Sequence, residues 1–199
     1  MTKFLAMVAG ATVAASLAAA PAGASSSATN YNATTYAATN QQPITLAEVQ
    51  AAQRAWGDAL VAISTEYERN GREAAARLAG QVIDTAYGYN LGTVLFKPTL
   101  TTAPQTFRYT REGALAYFVG GSRDFPEDTG FALKKWRSVS IGNKQVILAG
   151  NTAMSMGNVS MTDAAGKVTT VDKTWGYVRD KDGRLRIVLH HSSLPYATN

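Results

Sequence analysis

Two turns written in the same code constrain this chain most. Asp163-Ala-Ala-Gly166 and Asp180-Lys-Asp-Gly183 each begin with a side chain that can bond its own backbone and end on glycine, the composition that chain reversals favour. Around them lie runs of strand length: 152–162, 168–179, and the apolar segment from Leu185 to Leu189. Connections this short join only antiparallel neighbours. The last third of the chain therefore reads as a three-stranded antiparallel meander, and strand signals at 136–141 and 145–149 extend it.

The segment before the meander reads helical. Thr45 and Glu48 have the spacing of a capping box, and Val49, Ala52, Trp56, Leu60, Ile63 and Tyr67 recur at steps of three and four. Asn70-Gly71 ends that helix, and a second is predicted over 72–86 with Leu78, Val82 and Ala86 on its inner side. The segment 87–92 is a loop carrying Tyr87 and Tyr89. Short strands are expected at 93–96 and 105–109. Thr110 can cap a short helix that includes Tyr117 and Phe118 and stops at Gly120-Gly121. Helices followed by antiparallel strands make an α+β class. A curved sheet wrapped around a long N-terminal helix would enclose a conical pocket lined by the last strand.

Residues 1–24 read as a secretory signal: Lys3, then an apolar stretch from Phe4 to Leu17, then Ala22-Gly-Ala24 as a small-residue cleavage site. A periplasmic or secreted protein is expected, with no membrane attachment after cleavage. Residues 25–43 are rich in Ser, Thr, Ala, Asn and Gln and read as a disordered linker; residues 44–197 form the folded domain. The chain has no cysteine, so an exported domain must rely on its core alone. The formal charge of +5 is a mild excess whose densest cluster, Lys134-Lys-Trp-Arg137, is too short for a nucleic-acid-binding stripe. No nucleic-acid partner is expected, and the cluster reads as a solvated strand edge.

The only two histidines, His190 and His191, stand at the end of the apolar run and are followed by Ser192 and Ser193. A strand points alternate side chains to opposite faces, so His190 shares a face with Ser192 and His191 with Ser193. One pair points into the fold. An imidazole beside a hydroxyl in a partly dry place can do chemistry, or can simply be a hydrogen-bonded pair in an ordinary strand.

The stretch from Arg179 to Pro195, with Tyr87-Gly-Tyr89, Gly92-Thr-Val-Leu-Phe-Lys-Pro-Thr99 and Glu112-Gly-Ala-Leu-Ala-Tyr-Phe-Val-Gly-Gly121, resembles the association domain of calcium/calmodulin-dependent kinase type II, which has the NTF2-like cone fold. The His-His-Ser-Ser form is closer to the iota-class carbonic anhydrases, a branch of that superfamily. The resemblance spans residues 44–196. It implies hydration of carbon dioxide to bicarbonate, with Thr99, Tyr117, His190 and Ser192 as catalytic pocket residues. Tyr87, Tyr89, His191 and Ser193 are further candidates for substrate binding. Many relatives carry a third histidine where this chain has Leu189.

Hydration needs an attacking water, a base for its proton and donors for the developing oxygens. A zinc anhydrase makes its hydroxide with three protein ligands. Here cysteine is absent and the two histidines point to opposite faces. Asp84, Glu112 and Asp128 have no ligand-like spacing to them. A metal-free site is therefore expected, with zinc or manganese disfavoured, His190 as base, and Ser192, Thr99 and Tyr117 as positioning donors. A homodimer or larger oligomer is expected from the family. The competing reading is a non-catalytic oligomerisation or small-ligand-binding module, because fold alone does not set function.

Overall fold

The computed structural model describes residue 34 and residues 42–197; the expected signal at 1–24 and most of the linker lie outside the described residues. The chain order is helix α1 (Leu46–Ala86), strand β1 (Leu95–Lys97), helix α2 (Arg111–Val119), and strands β2 (Trp136–Ala149), β3 (Thr152–Asp163), β4 (Val168–Arg179) and β5 (Leu185–Ser193). This is the expected α+β order.

Helix α1 begins at the capping box: Thr45 accepts from the Glu48 N–H, and Glu48 returns to the Thr45 N–H. It contains the two predicted helices, joined at Gly71, whose φ of 80° breaks the α geometry where the sequence placed the boundary. Before the kink, Val49, Trp56, Leu60 and Ile63 are buried as the period predicts. After it the buried side is Ala75, Ala79 and Ile83, while Leu78, Val82 and Ala86 are only partly covered. The helix lies so close to its neighbours that alanines take the inner positions.

The sheet order is β1-β5-β4-β3-β2. The meander is antiparallel as expected, but β1 pairs with β5 in parallel, Phe96 opposite His190, so the sheet is mixed rather than wholly antiparallel. The two strands expected at 136–141 and 145–149 are one strand with an irregularity between Asn143 and Gln145. Gln53 on α1 holds that irregularity: its amide exchanges hydrogen bonds with Asn143 at 3.0 and 2.8 Å and donates to Ser155 at 3.0 Å. Residues 105–109 are not a strand. The Arg108 guanidinium turns back to the Gln105 and Phe107 carbonyls, and only its N–H pairs with Phe96 O. Among the described residues no helix is long and apolar enough to cross a membrane.

One detail of β5 decides the function-bearing face. Tyr177 pairs with Ile187, but the next residue of β4, Gly176, pairs with Leu189, so Val188 is an extra residue. Strict alternation from buried Ile187 would turn Leu189 and His191 inward. The bulge resets the phase, and His190 and Ser192 become buried while His191 is exposed. Gly176 sits at the reset. A Cβ there would lie 2.9 Å from the Leu189 Cβ, whereas one at Gly142 meets nothing nearer than 4.0 Å. Gly176→Ala is expected to lose about 1–3 kcal/mol in chemical denaturation as an overpacked site, and Gly142→Ala to stay within about 0.5 kcal/mol of the parent. Equal stability of the two variants would refute this account of the bulge.

Candidate active site

Four parts of the chain converge on one small cavity. Strand β5 brings His190 and Ser192, and β4 brings Lys173, which faces Ser192 across the ladder. Helix α2, capped by Thr110 on the Gly113 N–H, ends with Tyr117 and Phe118 turned inward. Thr99 follows β1 and Pro98. Thr99, Tyr117, His190, Ser192 and Lys173 line one small cavity whose remaining wall includes Trp56, Phe118, Phe131, Met161 and Val171. The cavity leaves about 10 Å³ for the centre of a water-sized sphere, roughly the room one water needs. Among the residues lining it there is no carboxylate.

The polar groups form two sets. In the first, the Thr99 hydroxyl donates to Ser192 Oγ at 2.8 Å, which leaves the Ser192 hydroxyl hydrogen free to point into the cavity. Tyr117 stands nearby with its ring stacked on Phe131 at 5.4 Å. Burial pushes its phenol well above the ordinary tyrosine value, so it is an O–H donor at any physiological pH. The loop behind it is held by the buried Arg108–Asp128 pair, with two contacts of 2.8 and 2.7 Å.

The second set is a chain through His190. The Trp56 Nε1–H donates to the Tyr87 hydroxyl at 3.0 Å, and that hydroxyl meets His190 Nδ1 at 2.7 Å. His190 Nε2 is hydrogen-bonded to Lys173 Nζ. The imidazole also stacks on Phe96, with ring centroids 4.4 Å apart. Tyr87 reaches this position because it closes α1: it bridges to Ile187, and Gly88 N–H donates to Ile187 O at 2.9 Å. Arg186 on β5 fixes the same junction. Its guanidinium donates to the Asp84 and Thr85 carbonyls at the end of α1 and pairs with buried Asp180 at 2.6 Å.

The sequence-predicted residues thus divide. Thr99, Tyr117, His190 and Ser192 share the cavity. Tyr87 lies behind His190 rather than in the cavity lining. Tyr89 donates to the Arg108 carbonyl at 2.9 Å and anchors that loop. His191 and Ser193 face the other side of the sheet, where they line a separate open groove. Sequence reasoning missed Lys173. The β4 alternation could have found it, since Val171, Lys173 and Trp175 share the buried face, and a lysine between two core residues is an exception that asks for a reason. Among the described residues no three His, Asp or Glu side chains are grouped as a metal would need.

Comparison with known proteins identifies the family. A family model described as metal-independent carbonic anhydrase matches residues 47–194. The chain belongs to that family. A metal-independent carbonic anhydrase from Nostoc sp. is 62% identical over 153 residues, covering 77% of this chain and 75% of its own length. The crystal structure of a cyanobacterial iota-carbonic anhydrase complexed with bicarbonate matches with a TM-score of 0.78 and 59% identity, over 81% of this chain and 99% of that one. A putative calcium/calmodulin-dependent kinase II association domain from Xanthomonas campestris matches with a TM-score of 0.48 and 24% identity, over 79% of this chain and 97% of its own. This carbonic anhydrase has the α+β class that the resemblance implied, a long N-terminal helix with a five-stranded sheet, and as a metal-independent member it is expected to need no metal cofactor.

The buried bases set its pH response. Burial holds the Lys173 amine well below the ordinary lysine range, whereas in the unfolded chain it titrates near 10.4. The unfolded state therefore binds the proton more tightly, and the stability contribution is full above about pH 10.4 and lost as pH falls toward the depressed folded value. Burial acts likewise on His190, whose contribution is full above about pH 6.5. The buried tyrosines Tyr87, Tyr117 and Tyr177 are pushed upward and oppose the trend only near their unfolded value of about 10. Stability is expected to fall by up to ~1.4 kcal/mol per pH unit as pH drops below the unfolded lysine value of about 10.4, and Lys173→Met to flatten that dependence. Urea titrations across that range check both.

Proposed function

We propose that this carbonic anhydrase hydrates carbon dioxide within the cavity formed by Thr99, Tyr117, Ser192, His190 and Lys173. One observation carries the reading: the hydroxyl-bearing residues Thr99, Tyr117 and Ser192, with His190 and Lys173, line one small cavity that is otherwise walled by aromatic and aliphatic side chains. Carbon dioxide is small and carries no charge, so an apolar wall is a suitable receptor. Its hydration product is an anion with three oxygens, which needs donors. The Thr99–Ser192 pair holds the attacking water and orients it, because Thr99 donates to Ser192 and so leaves its own acceptor lone pairs and the Ser192 hydrogen for that water. The Tyr117 hydroxyl donates to a carbonyl oxygen as charge grows on it. In an enclosure of low dielectric such a donor is worth far more than in water.

The structure of a relative in complex with bicarbonate supports bicarbonate as the product held here. The proton released must leave on the His190 side, since no carboxylate lines the cavity. Ser192→Ala and Tyr117→Phe are each expected to lower kcat/KM for hydration by about 10²–10³, measured by stopped flow on chelated protein with metal content assayed on the same sample. Folded variants with the parent's rate would place the chemistry elsewhere.

Export through residues 1–24 and self-association belong to the same proposal. The leader has the three parts of a signal peptide, and Met154 and Met156 are 42% and 62% exposed on the outer face of the sheet, an apolar surface a second copy can cover. Protein recovered from outside the cytoplasm is expected to begin at Ser25 by intact mass. Sedimentation should give twice the monomer mass. A retained leader, or a monomer at micromolar concentration, would reject the respective half.

A further inference from the structure

Lys173 raises a question that the proposed hydration site leaves open, namely where the proton from water goes. His190 is the obvious acceptor, yet neither of its nitrogens is free. The Trp56 indole can only donate, and it donates to the Tyr87 oxygen. Were His190 Nδ1 also a donor to that oxygen, the hydroxyl hydrogen of buried Tyr87 would be left without either partner as an acceptor, so the hydrogen is assigned to His190 Nδ1. That assignment makes Nδ1 an acceptor and places the imidazole proton on Nε2, which faces Lys173 Nζ. For this contact to be a hydrogen bond, Nζ must accept, and only an uncharged amine has a lone pair to do so. The hydrogen-bond inventory thus sets Lys173 as a neutral amine at rest, the one basic lone pair that borders the cavity.

We propose that Lys173 is the general base of the hydration, and that His190 is the residue that positions it. This rests on the hydration cavity proposed above. In the step, Nζ gives up the hydrogen bond it accepts from His190 and uses the same lone pair to form a bond to a hydrogen of the attacking water. The water O–H bond breaks, and its electron pair forms the new C–O bond to carbon dioxide. One C=O π pair moves onto oxygen, near the Tyr117 donor. The products are bicarbonate and the Lys173 ammonium, with atoms and charge balanced. The ammonium proton must then pass to solvent to reset the site.

The surroundings suit both states of the amine. Nζ lies 4.6 Å from the Trp56 ring centroid and 5.3 Å from that of Trp175, so two aromatic faces are ready for a cation when one forms. Bicarbonate would be its counter-ion. The titratable groups about Lys173 are few: His190 from β5 at Nζ, with Tyr87 behind it on Nδ1, Tyr117 from α2 across the cavity with the Arg108–Asp128 pair beyond it, and His191 on the reverse of β5, whose imidazole interacts electrostatically with Lys173. His191 and Asp172 point to the opposite face of the sheet. No carboxylate at the cavity holds the amine protonated, and burial lowers its basicity toward the range a general base needs.

The test uses the purified protein labelled with 13C at lysine Cε, followed by NMR from about pH 5.5 to 11, together with hydration kinetics over the same range. Among the described lysines only Lys173 is buried. One lysine signal is expected to titrate far below the others and to vanish in Lys173→Met. Lys173→Met and Lys173→Arg are expected to lose about 10²–10⁴ in hydration rate, and with it the rise of kcat/KM with pH that tracks the wild-type signal. If every lysine titrates together in the ordinary range, the proposal is overturned from the parent protein alone, even should both variants misfold. A folded Lys173→Met that keeps the rate and its pH dependence overturns it equally. Fully active Ser192→Ala and Tyr117→Phe would instead reject the cavity, so the two failures are separable.

Discussion

An imidazole with both nitrogens committed, buried against the apolar core, is the constraint on which the rest of this structure depends. His190 is 2% exposed, stacked on Phe96 and bonded to Tyr87 and Lys173. A buried polar group without a partner costs about 1–3 kcal/mol. The chain from Trp56 to Lys173 must therefore be complete or the fold is worse off than with an all-apolar core. Completing it requires four side chains from α1, the α1–β1 loop, β4 and β5 to meet within hydrogen-bond distance. Much of the architecture serves that meeting.

The meeting is arranged by backbone features that carry no chemistry themselves. The kink at Gly71 lies between the two contributions of one long helix, Trp56 in its first third and Tyr87 at its end. Arg186 ties the carbonyls that end α1 to β5, and Asp180 in the last turn holds the guanidinium in place. The bulge at Val188, opposite Gly176, then turns His190 rather than His191 toward Tyr87. Each device acts on the same short stretch of β5, so a shift of one residue there would exchange the buried and solvent-facing histidines. This is the general hazard of strand register, here controlled within a few residues of the site.

These devices also explain which parts of the structure were legible in the sequence. The meander, the capping box, the Gly71 boundary and the short helix carrying Tyr117 follow from local codes of one or two turns, and all four are present. The inward histidine was not decided, because regular alternation leaves His190 and His191 equivalent in kind, and a bulge depends on the partner strand. The inner face of the second half of α1 was misplaced because close packing selected alanines over larger residues. The strand expected at 105–109 failed for a similar reason: a buried arginine there bonds its own loop, which a propensity pattern does not register. Lys173 was overlooked because a lone lysine in a strand ordinarily means a solvated face, and only β4's buried alternation contradicts that reading.

A zinc anhydrase lowers the pKa of water by binding it to a dication. The arrangement here approaches the same reaction from the other side, through the environment of the base and of the product. Carbon dioxide enters most easily where no charge must be displaced, and a neutral Lys173 bonded to a neutral His190 keeps the cavity uncharged until reaction. Once the proton moves, the cavity holds an ion pair, with hydroxyl donors on the anion and two indole faces near the cation. The low dielectric that keeps the amine neutral at rest also strengthens the attraction between the new charges. The balance between these two effects decides whether bicarbonate leaves or stays.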